Sequence, residues 1–209
     1  MIGASREAGV IRTDTLAELF DFSLLLGSQA PPNGNRVGII ANSGGPAILC
    51  AKACEAGGLV VPPLPDAVRT ELGSFLPSAA STTNPVDMLA TASGEDYRRA
   101  IRALAASGAI DALIVIFTPP LVTKPAEAQR AIHRAARELS RSMPVLSVFM
   151  SEQSAPRVAK TECIAVPNYP FPEEAARVLS LVVRYGASRT RREEPPEVPS
   201  IEAPADHPK

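Results

Sequence analysis

The chain of 209 residues has no tryptophan, and only 4% of its residues are aromatic. It therefore offers little surface on which nucleic-acid bases or a flavin ring could stack. The formal net charge of −1 argues against the concentrated positive field that a nucleic-acid-binding protein needs. Three cysteines are too few for a disulfide framework and are typical of reduced thiols inside the cell.

Long apolar runs are also missing, because no stretch approaches the ~20 residues that a membrane helix needs. The chain does not open with the pattern of a signal peptide. Apolar residues nevertheless make up 45% of the chain, and charged residues 21%. This balance is typical of a globular protein that buries a core. We therefore expect a cytoplasmic protein that binds neither a membrane nor nucleic acid.

Proline is abundant, with 21 residues, and its distribution divides the chain. Residues 1–34 are expected to hold a linker and an N-terminal helix, Thr13–Leu26, which opens with a capping-box pattern. This helix carries an apolar face that must fold back or dock on another chain. Residues 35–186 form the predicted main domain. Residues 187–209, rich in proline and glutamate, predict a hinge or a disordered tail.

Strand and helix patterns alternate within the main domain. This alternation predicts an α/β fold with a doubly wound, five-stranded parallel sheet. Right-handed crossovers and the commonest arrangement of five strands predict the flavodoxin-like order 2-1-3-4-5. The predicted strands are Arg36–Ala41, Leu59–Val61, Asp111–Phe117, Val145–Met150 and Cys163–Val166. The predicted helices are Pro46–Ala56, Asp66–Leu76, Gly94–Ala106, Ala126–Arg141, Ser154–Lys160 and Pro172–Tyr185.

Ligands in such a sheet bind beyond the carboxyl ends of the strands, where the winding reverses. The reversal singles out the loop after the first strand and the loop Thr118–Pro120. In the first loop, Asn42 and Ser43 can cap the next helix. Gly44 and Gly45 then let a ligand approach the backbone closely. The free N–H groups and the positive end of that helix predict an anion site, although a plain entry into a helix explains the same residues equally well.

The residue types argue against several other sites. The chain has neither the G-x-G-x-x-G nor the G-K-[ST] phosphate fingerprint, so nucleotide binding is not expected. A phosphoacceptor receiver needs an aspartate where Thr118 stands, and a flavodoxin needs aromatic residues in its FMN-binding loops. We expect His133 on the solvent face of its helix, and Cys50 and Cys54 as small core residues. No catalytic residue and no metal ligand is therefore expected.

The long connection Pro77–Ser93 contains the sequence Asn84-Pro85-Val86-Asp87. Structureless loops of this length are uncommon in a compact domain and are usually functional. A rigid turn that covers the edge of the sheet is the alternative, since an Asn–Pro step favours a turn.

Six segments of the chain form a specific series when they are taken together. They are Ala8–Phe22, Asn35–Leu59, Asn84–Ala90, Ile110–Pro119, Pro144–Met150 and Tyr169–Glu173. The series resembles the ligase-CoA domain of the NDP-forming acyl-CoA synthetase family, which includes the ADP-forming acetate–CoA ligases. This domain is similar to the C-terminal domain of the succinyl-CoA synthetase β chain. The resemblance covers nearly the whole chain up to about Arg192.

The resemblance implies the reaction acyl-CoA + ADP + phosphate ⇌ acid + CoA + ATP, by way of an acyl phosphate and a phosphohistidine. In the family, that histidine belongs to a Ser-His-Thr-Gly motif in a separate domain, which follows a CoA-binding domain. An ATP-grasp domain follows the hinge. We expect these parts to be partners in the same or another chain. The complete enzyme would use CoA, ADP or ATP, and magnesium, and this chain alone would bind none of them.

The resemblance also assigns two sets of contacts. The helix-start set would bind the phosphorylated histidine of the partner: Asn42, Ser43, Gly44 and Gly45. The loop set would contact the carboxylate substrate: Asn84, Pro85, Asp87, Thr118 and Pro119. The chain departs from its relatives at Ser151-Glu152, where relatives often have glycines and where an acidic side chain could repel an anion.

The leading hypothesis is therefore a domain that stabilises a phosphohistidine. As an isolated chain it would show no turnover, since it has no nucleophile of its own. A non-catalytic regulatory or interaction module derived from this family is the alternative, and the departure at Ser151-Glu152 would suit it. A truncated reading frame or an excised fragment is a third interpretation. The acyl substrate, the choice between ADP and GDP, and the formation of a homo-oligomer stay open.

Overall fold

The computed structural model describes residues 13–119, 125–139, 143–150 and 166–193. Within these ranges the chain forms five strands and six helices. The strands are β1 (Val37–Ala41), β2 (Val86–Asp87), β3 (Ala112–Phe117), β4 (Val145–Phe149) and β5 (Asn168–Tyr169). The helices are α1 (Leu16–Ser28), α2 (Gly44–Ala56), α3 (Asp66–Gly73), α4 (Gly94–Ala106), α5 (Pro125–Glu138) and α6 (Pro172–Glu193).

The strands form one parallel sheet in the order β2-β1-β3-β4-β5. This order confirms the doubly wound topology that the alternation of strands and helices predicted. All six residues of β3 are buried, as expected for a central strand that is covered on both faces. β1 pairs with β3 along its whole length, from Val37 opposite Ala112 to Ala41 opposite Ile116. The winding therefore reverses between β1 and β3.

The second strand lies at different residues from those predicted. The segment Leu59–Val61 contributes only an isolated bridge between Val60 and Arg36, next to the beginning of β1. The neighbour of β1 is instead β2, which belongs to the connection that was predicted to have no regular structure. Because β2 has only two residues, it is too short to show a periodic pattern in the sequence.

The fifth strand is also displaced along the chain. β5 begins at Asn168, after the end of the predicted strand Cys163–Val166, and pairs with β4 through Ser147 and Val148. Residues 163–165 and the predicted helix Ser154–Lys160 lie outside the described residues.

Two hydrophobic clusters cover the two faces of the sheet. α3, α4 and α5 pack on one face, and α2 and α6 pack on the other. The N-terminal helix α1 folds back onto α6, which is one of the two outcomes expected for it. Its Leu25 is fully buried, and the Phe22 ring meets the edge of Tyr185 with 6.2 Å between the ring centroids. Leu16 and Phe20, near the start of α1, stay exposed.

The helix ends follow the local sequence closely. Thr15 caps α1 by accepting the N–H of Glu18 at 3.1 Å. Ser93 and Asp96 form a capping box at the start of α4. α6 continues to Glu193, so the helix enters the segment that was predicted to be a hinge or a disordered tail. The division of the chain at residue 186 stays a prediction. None of the described helices combines the length and apolar character needed to cross a membrane.

Candidate functional site

Asn42 joins the carboxyl ends of β1 and β3. Its side-chain N–H donates to the Thr118 carbonyl, and its side-chain oxygen accepts the Thr118 N–H, both at 2.8 Å. Asn42 is only 3% exposed, and buried polar groups need hydrogen-bond partners. Its two bonds to Thr118 supply these partners just beyond the ends of β1 and β3. The N-cap residue of α2 is Ser43, so Asn42 is not a helix cap. Its function in this structure is to join the loop after β1 to the loop after β3, at the edge where the winding of the sheet reverses.

The start of α2 is open and has no side-chain cap. Ser43 is the N-cap residue, but its side chain makes no capping hydrogen bond. Gly44 and Gly45 form the first turn, where backbone N–H groups have no acceptor within the helix. The helix begins at Gly44, two residues before its predicted start at Pro46. A Cβ atom built on Gly45 would meet no described residue within 4 Å, so this turn has open space on the side of Gly45 among the residues that the structure describes.

We refer to Ser43, Gly44 and Gly45 as the helix-start site. One turn further along α2, Ile48 and Leu49 are 57% and 51% exposed. They are two of the seven large hydrophobic residues that are exposed in the part of the chain described by the structure. Large exposed apolar side chains next to a functional edge are typical of a surface that another protein covers.

Asp87 places a negative charge beside the helix-start site. A Cβ atom built on Gly44 would lie 3.0 Å from Asp87 Oδ2. The other carboxylate oxygen, Oδ1, accepts the N–H of Leu89 at 3.0 Å. Leu89 has a φ of 68°, a left-handed conformation that is strained for a residue with a branched side chain. This turn therefore fixes the carboxylate against the beginning of α2.

Tyr97 is a neighbour of this site that the sequence analysis did not identify. Its hydroxyl donates to the carbonyl of Ile116, near the end of β3, at 3.0 Å. Burial raises the pKa of Tyr97 well above its usual value, and the charge of Asp87 raises it further. Tyr97 is thus a neutral hydrogen-bond donor below the site. Because Tyr97 lies on the apolar face of α4, the sequence predicts a core residue there and does not indicate the hydrogen bond to Ile116.

Asn84 lies away from the helix-start site. Its side chain accepts the N–H of Ile39 at 3.0 Å and donates to the carbonyls of Val37 and Pro62 at 2.9 and 3.0 Å. Ile39 precedes the end of β1 by two residues, or roughly 7 Å of strand. The bond between Asn84 and Pro85 is cis. The Asn84 amide therefore binds backbone groups along β1, as the rigid-turn alternative implies.

Thr118 and Pro119 follow β3 at the same edge of the sheet. The backbone of Thr118 is bound by Asn42, and its hydroxyl lies 3.9 Å from the sulfur of Met150. Pro119 is exposed. The structure thus brings Asn42, the helix-start site, Asp87 and Thr118 together at one edge, and it separates the Asn84 side chain from them. Ser151-Glu152 lies outside the described residues.

His133 is buried, which contradicts its predicted position on a solvent face. It is 8% exposed, and its Nδ1 has no hydrogen-bond partner among the described residues. Burial and the charge of Arg137 lower the pKa of His133, which favours the neutral ring. The helical pattern missed this position because α5 is buried over a wider arc than its apolar stripe indicates.

Cys50 and Cys54 are both fully buried, which confirms their prediction as core residues. A hydrogen bond with Cys54 and burial raise the pKa of the Cys50 thiol, so it is not an activated nucleophile. No group of three or more potential metal ligands occurs in residues 13–119, 125–139, 143–150 and 166–193.

Comparison with known families decides the identity of the domain. The model of the Ligase-CoA domain matches residues 37–190, from the first residue of β1 almost to the end of α6. The chain belongs to the Ligase-CoA domain family. This result confirms the resemblance to ADP-forming acetate–CoA ligases, which was inferred from six segments of the sequence.

Relatives of this Ligase-CoA domain are longer proteins. The chain is 35% identical over 184 residues to the acetate–CoA ligase [ADP-forming] II subunit alpha of Pyrococcus furiosus. That alignment covers 87% of this chain but only 40% of the relative. The crystal structure of PH0766 from Pyrococcus horikoshii OT3 has a TM-score of 0.79 and 33% identity, and it covers 90% of this chain and 43% of that chain.

A third match supports the fold alone. The dinucleotide-forming acetyl-coenzyme A synthetase 1 of Ca. Korarchaeum cryptofilum, in complex with phosphate and ADP, has a TM-score of 0.77 and 24% identity. The match covers 90% of this chain and 41% of that protein. This chain therefore spans about two fifths of the length of each of these three proteins.

Proposed function

We propose that this Ligase-CoA domain works within an ADP-forming acyl-CoA synthetase, where it binds and stabilises a phosphohistidine supplied by another domain or chain. The helix-start site would receive the phosphoryl group. The observation that carries this proposal is the open, uncapped first turn of α2, with Gly44 and Gly45 at the edge of the sheet where the winding reverses. Ligands of doubly wound folds bind at this edge.

The physical basis is the electrostatics of a helix end. The N-terminus of a helix has the equivalent of roughly half a positive charge, and its first N–H groups point at the ligand. An anion in this position is stabilised by about 0.3–2 kcal/mol. Thr15 and Ser93 cap the first turns of α1 and α4, whereas Ser43 makes no side-chain capping bond at α2.

The partner follows from the length of the relatives. This chain spans 40% of a protein whose name identifies it as one subunit of an acetate–CoA ligase, so the proposed enzyme needs further domains. We place the histidine, the CoA site and the nucleotide site, with its magnesium, on those domains. Ile48 and Leu49 lie one turn from the helix-start site and would form part of the surface on which the histidine-bearing domain docks.

Labelled phosphohistidine tests the proposal directly. The histidine-bearing partner is incubated with acetyl-CoA and radioactive phosphate, alone and with this chain, and the acid-labile phosphohistidine on the partner is counted. We expect this chain to raise the yield. The variant Gly45→Asp should lower it about tenfold, because a carboxylate in the first turn takes the position of the phosphoryl group.

The matched control is Gly73→Asp at the end of α3. Gly73 is also an exposed helical glycine whose added Cβ would meet nothing within 4 Å. It adds the same charge far from the helix-start site and should leave the yield unchanged. A yield that is independent of this chain, or a Gly45→Asp variant as effective as the unmodified chain, would support the non-catalytic module instead.

A further inference from the structure

α4 and α5 lie side by side on one face of the sheet and present a row of arginines to solvent. The two helices contain six arginines, no lysine and four carboxylates, so their combined formal charge is +2, whereas the whole chain has a net charge of −1. We call the six arginines the arginine face: Arg98, Arg99, Arg102, Arg130, Arg134 and Arg137. The carboxylates on the same helices are Glu95, Asp96, Glu127 and Glu138.

Two of these arginines already have carboxylate partners. Arg98 donates two hydrogen bonds to Glu95, at 2.9 and 2.6 Å. Arg102 Nε lies 3.6 Å from a carboxylate oxygen of Glu138, which joins the end of α5 to α4. The charges of these two arginines are therefore balanced within the face itself.

Three other arginines have no such partner. Arg99, Arg130 and Arg134 make no hydrogen bond and no ion pair with the residues that the structure describes. The guanidinium of Arg99 lies over the ring of Phe75, 3.9 Å from its centroid, so its plane is fixed while the N–H groups at its edge stay available. A cleft of about 360 Å³ opens beside it, between α4 and Glu71 of α3.

The spacing of the arginines is unfavourable for the isolated helices. Arg98 and Arg102 are four residues apart on α4, and Arg130 and Arg134 are four residues apart on α5, and like charges at this spacing repel. Carboxylates relieve this repulsion. A guanidinium also binds a carboxylate through two parallel N–H groups, which a lysine cannot do. The arginine face therefore fits a segment that carries several separate carboxylates.

The chain itself contains a segment of this kind. Residues 194–209, which lie outside the described residues, follow α6 directly and contain four carboxylates and one lysine, so their formal charge is −3. We call residues 194–209 the acidic segment. Its carboxylates are Glu194, Glu197, Glu202 and Asp206.

The ends of α5 and α6 make this pairing possible. α5 ends at Glu138, shortly before β4 begins at Val145. α6 reaches the same edge of the sheet, because a Cβ atom on its Gly186 would lie 3.3 Å from Pro31, and the nearby Gln29 side chain binds both backbone groups of Val145 at 2.8 Å.

The distance between the two helices is within the reach of the acidic segment. α5 and α6 lie on opposite faces of the sheet, roughly 20 Å apart if packed elements are spaced by about 10 Å. α6 continues for seven residues after Gly186, or about 10 Å. Sixteen residues span at most about 55 Å, which is enough to return over this distance and cross to the other face.

We propose that the acidic segment binds the arginine face of its own chain, and that its carboxylates accept hydrogen bonds from Arg99, Arg130 and Arg134. Exposed ion pairs are individually weak, but a segment joined to the same chain has an effective concentration in the millimolar range. The contact should also weaken as salt is added. This inference does not depend on the proposed function, because α4 and α5 cover the face of the sheet opposite α2.

A spin label in the acidic segment tests the contact in the full chain. Ser200→Cys is introduced in a Cys163→Ser background and labelled with a nitroxide. Cys50 and Cys54 are fully buried and should stay unlabelled. We expect the label to broaden the ¹⁵N amide resonances of Arg99, Arg130 and Arg134 at low salt. Roughly 1 M salt, where the Debye length is about 3 Å, should remove this broadening.

Two pairs of substitutions separate the contact from a general effect of charge. Glu197→Gln with Glu202→Gln removes the two carboxylates nearest the label, and most of the broadening should be lost. The control, Glu55→Gln with Glu173→Gln, removes the same charge from exposed positions on α2 and α6, and the broadening should persist. Broadening that survives the first pair, or that is absent in the unmodified segment at low salt, would overturn the proposal.

A mixed sample identifies the chain on which the acidic segment binds. Spin-labelled chains without ¹⁵N are mixed with ¹⁵N-labelled chains without a nitroxide. The proposal predicts no broadening on the arginine face in this mixture. Broadening as strong as in the singly labelled chain would mean that the segment binds a second copy, and the contact within one chain would then be wrong.

Discussion

Replacing Asn42 by alanine would remove both hydrogen bonds that join the ends of β1 and β3. The N–H and the carbonyl of Thr118 each lie 2.8 Å from the Asn42 amide, and Asn42 is almost fully buried. A buried backbone group that loses its partner costs about 1–3 kcal/mol. We therefore expect Asn42→Ala to lower the free energy of unfolding by about 3 kcal/mol. In a chain of this size, that loss lowers Tm by about 6–12 °C.

The variant Asn42→Asp separates hydrogen bonding from packing. An ionised carboxylate keeps the acceptor for the Thr118 N–H but places a negative oxygen against the Thr118 carbonyl. The pKa of the new carboxyl group should therefore rise in the folded state. The folded protein then binds more protons than the unfolded chain, so the variant gains stability as the pH falls through that raised pKa and loses it as the pH rises.

Urea unfolding followed by circular dichroism measures both variants. Asn35→Ala serves as the control, because it removes a single amide-to-carbonyl hydrogen bond, to Gly58, at the surface near the other end of β1. A loss below about 1 kcal/mol is expected for it. If Asn42→Ala unfolds at the same urea concentration as Asn35→Ala, the two bonds to Thr118 do not hold the loops together. The account of Asn42 as a structural bridge is then wrong.

Two further predictions concern buried polar groups. Asn84→Ala removes three hydrogen bonds to backbone groups and should lower the free energy of unfolding by about 3–4 kcal/mol, measured in urea. For His133, the folded-state pKa lies below its unfolded value of about 6.5, so its contribution is complete above that value and is lost as the pH falls through it. His133→Gln should therefore flatten the decline in stability between about pH 7.5 and pH 5.5. An unchanged decline would show that His133 titrates normally.

The central strands could be predicted because their signal is local. β3 is a continuous apolar run, and β4 is apolar except for Ser147, so both strands are visible in the sequence itself. The order of the sheet then followed from chirality and from the usual arrangement of five strands. The loop that leads into α2 was singled out by the same topology, although the helix begins at Gly44 and not at the predicted Pro46.

The two edge strands could not be predicted because they are two residues long. β2 is held by backbone hydrogen bonds within its own connection and by a bond across to β1. Its Asp87 makes a reciprocal pair of backbone hydrogen bonds with Ser81, and the N–H of Met88 donates to the carbonyl of Ala41. Leu59–Val61 has a better strand composition but reaches only the beginning of β1. Composition therefore favoured the wrong segment, and tertiary pairing decided the outcome.

The amides show which two uses of a residue the sequence analysis of the site could not separate. Asn42 and Asn84 are residue types that bind ligands as well as backbone, and no spacing rule separates the two uses. Their partners lie 76 and 45 residues away in the chain, at Thr118 and Ile39. Gly44 and Gly45 depend less on side-chain partners, because an open turn is a property of the backbone itself. Gly44 and Gly45 are consequently the best-supported part of the candidate site.

Asn84 and Asp87 belong to the same short segment, and their roles depend on each other. A two-residue strand has too little pairing to hold its own register. The Asn84 side chain makes three hydrogen bonds, to backbone groups of Val37, Ile39 and Pro62, and these bonds fix the segment. Ala41 then pairs with Asp87. The Asp87 carboxylate then meets Gly44, the third residue after Ala41. Loosening Asn84 would therefore move the charge at the helix-start site without touching that site. The effect of Asn84→Ala should appear in the yield of phosphohistidine on the partner as well as in stability.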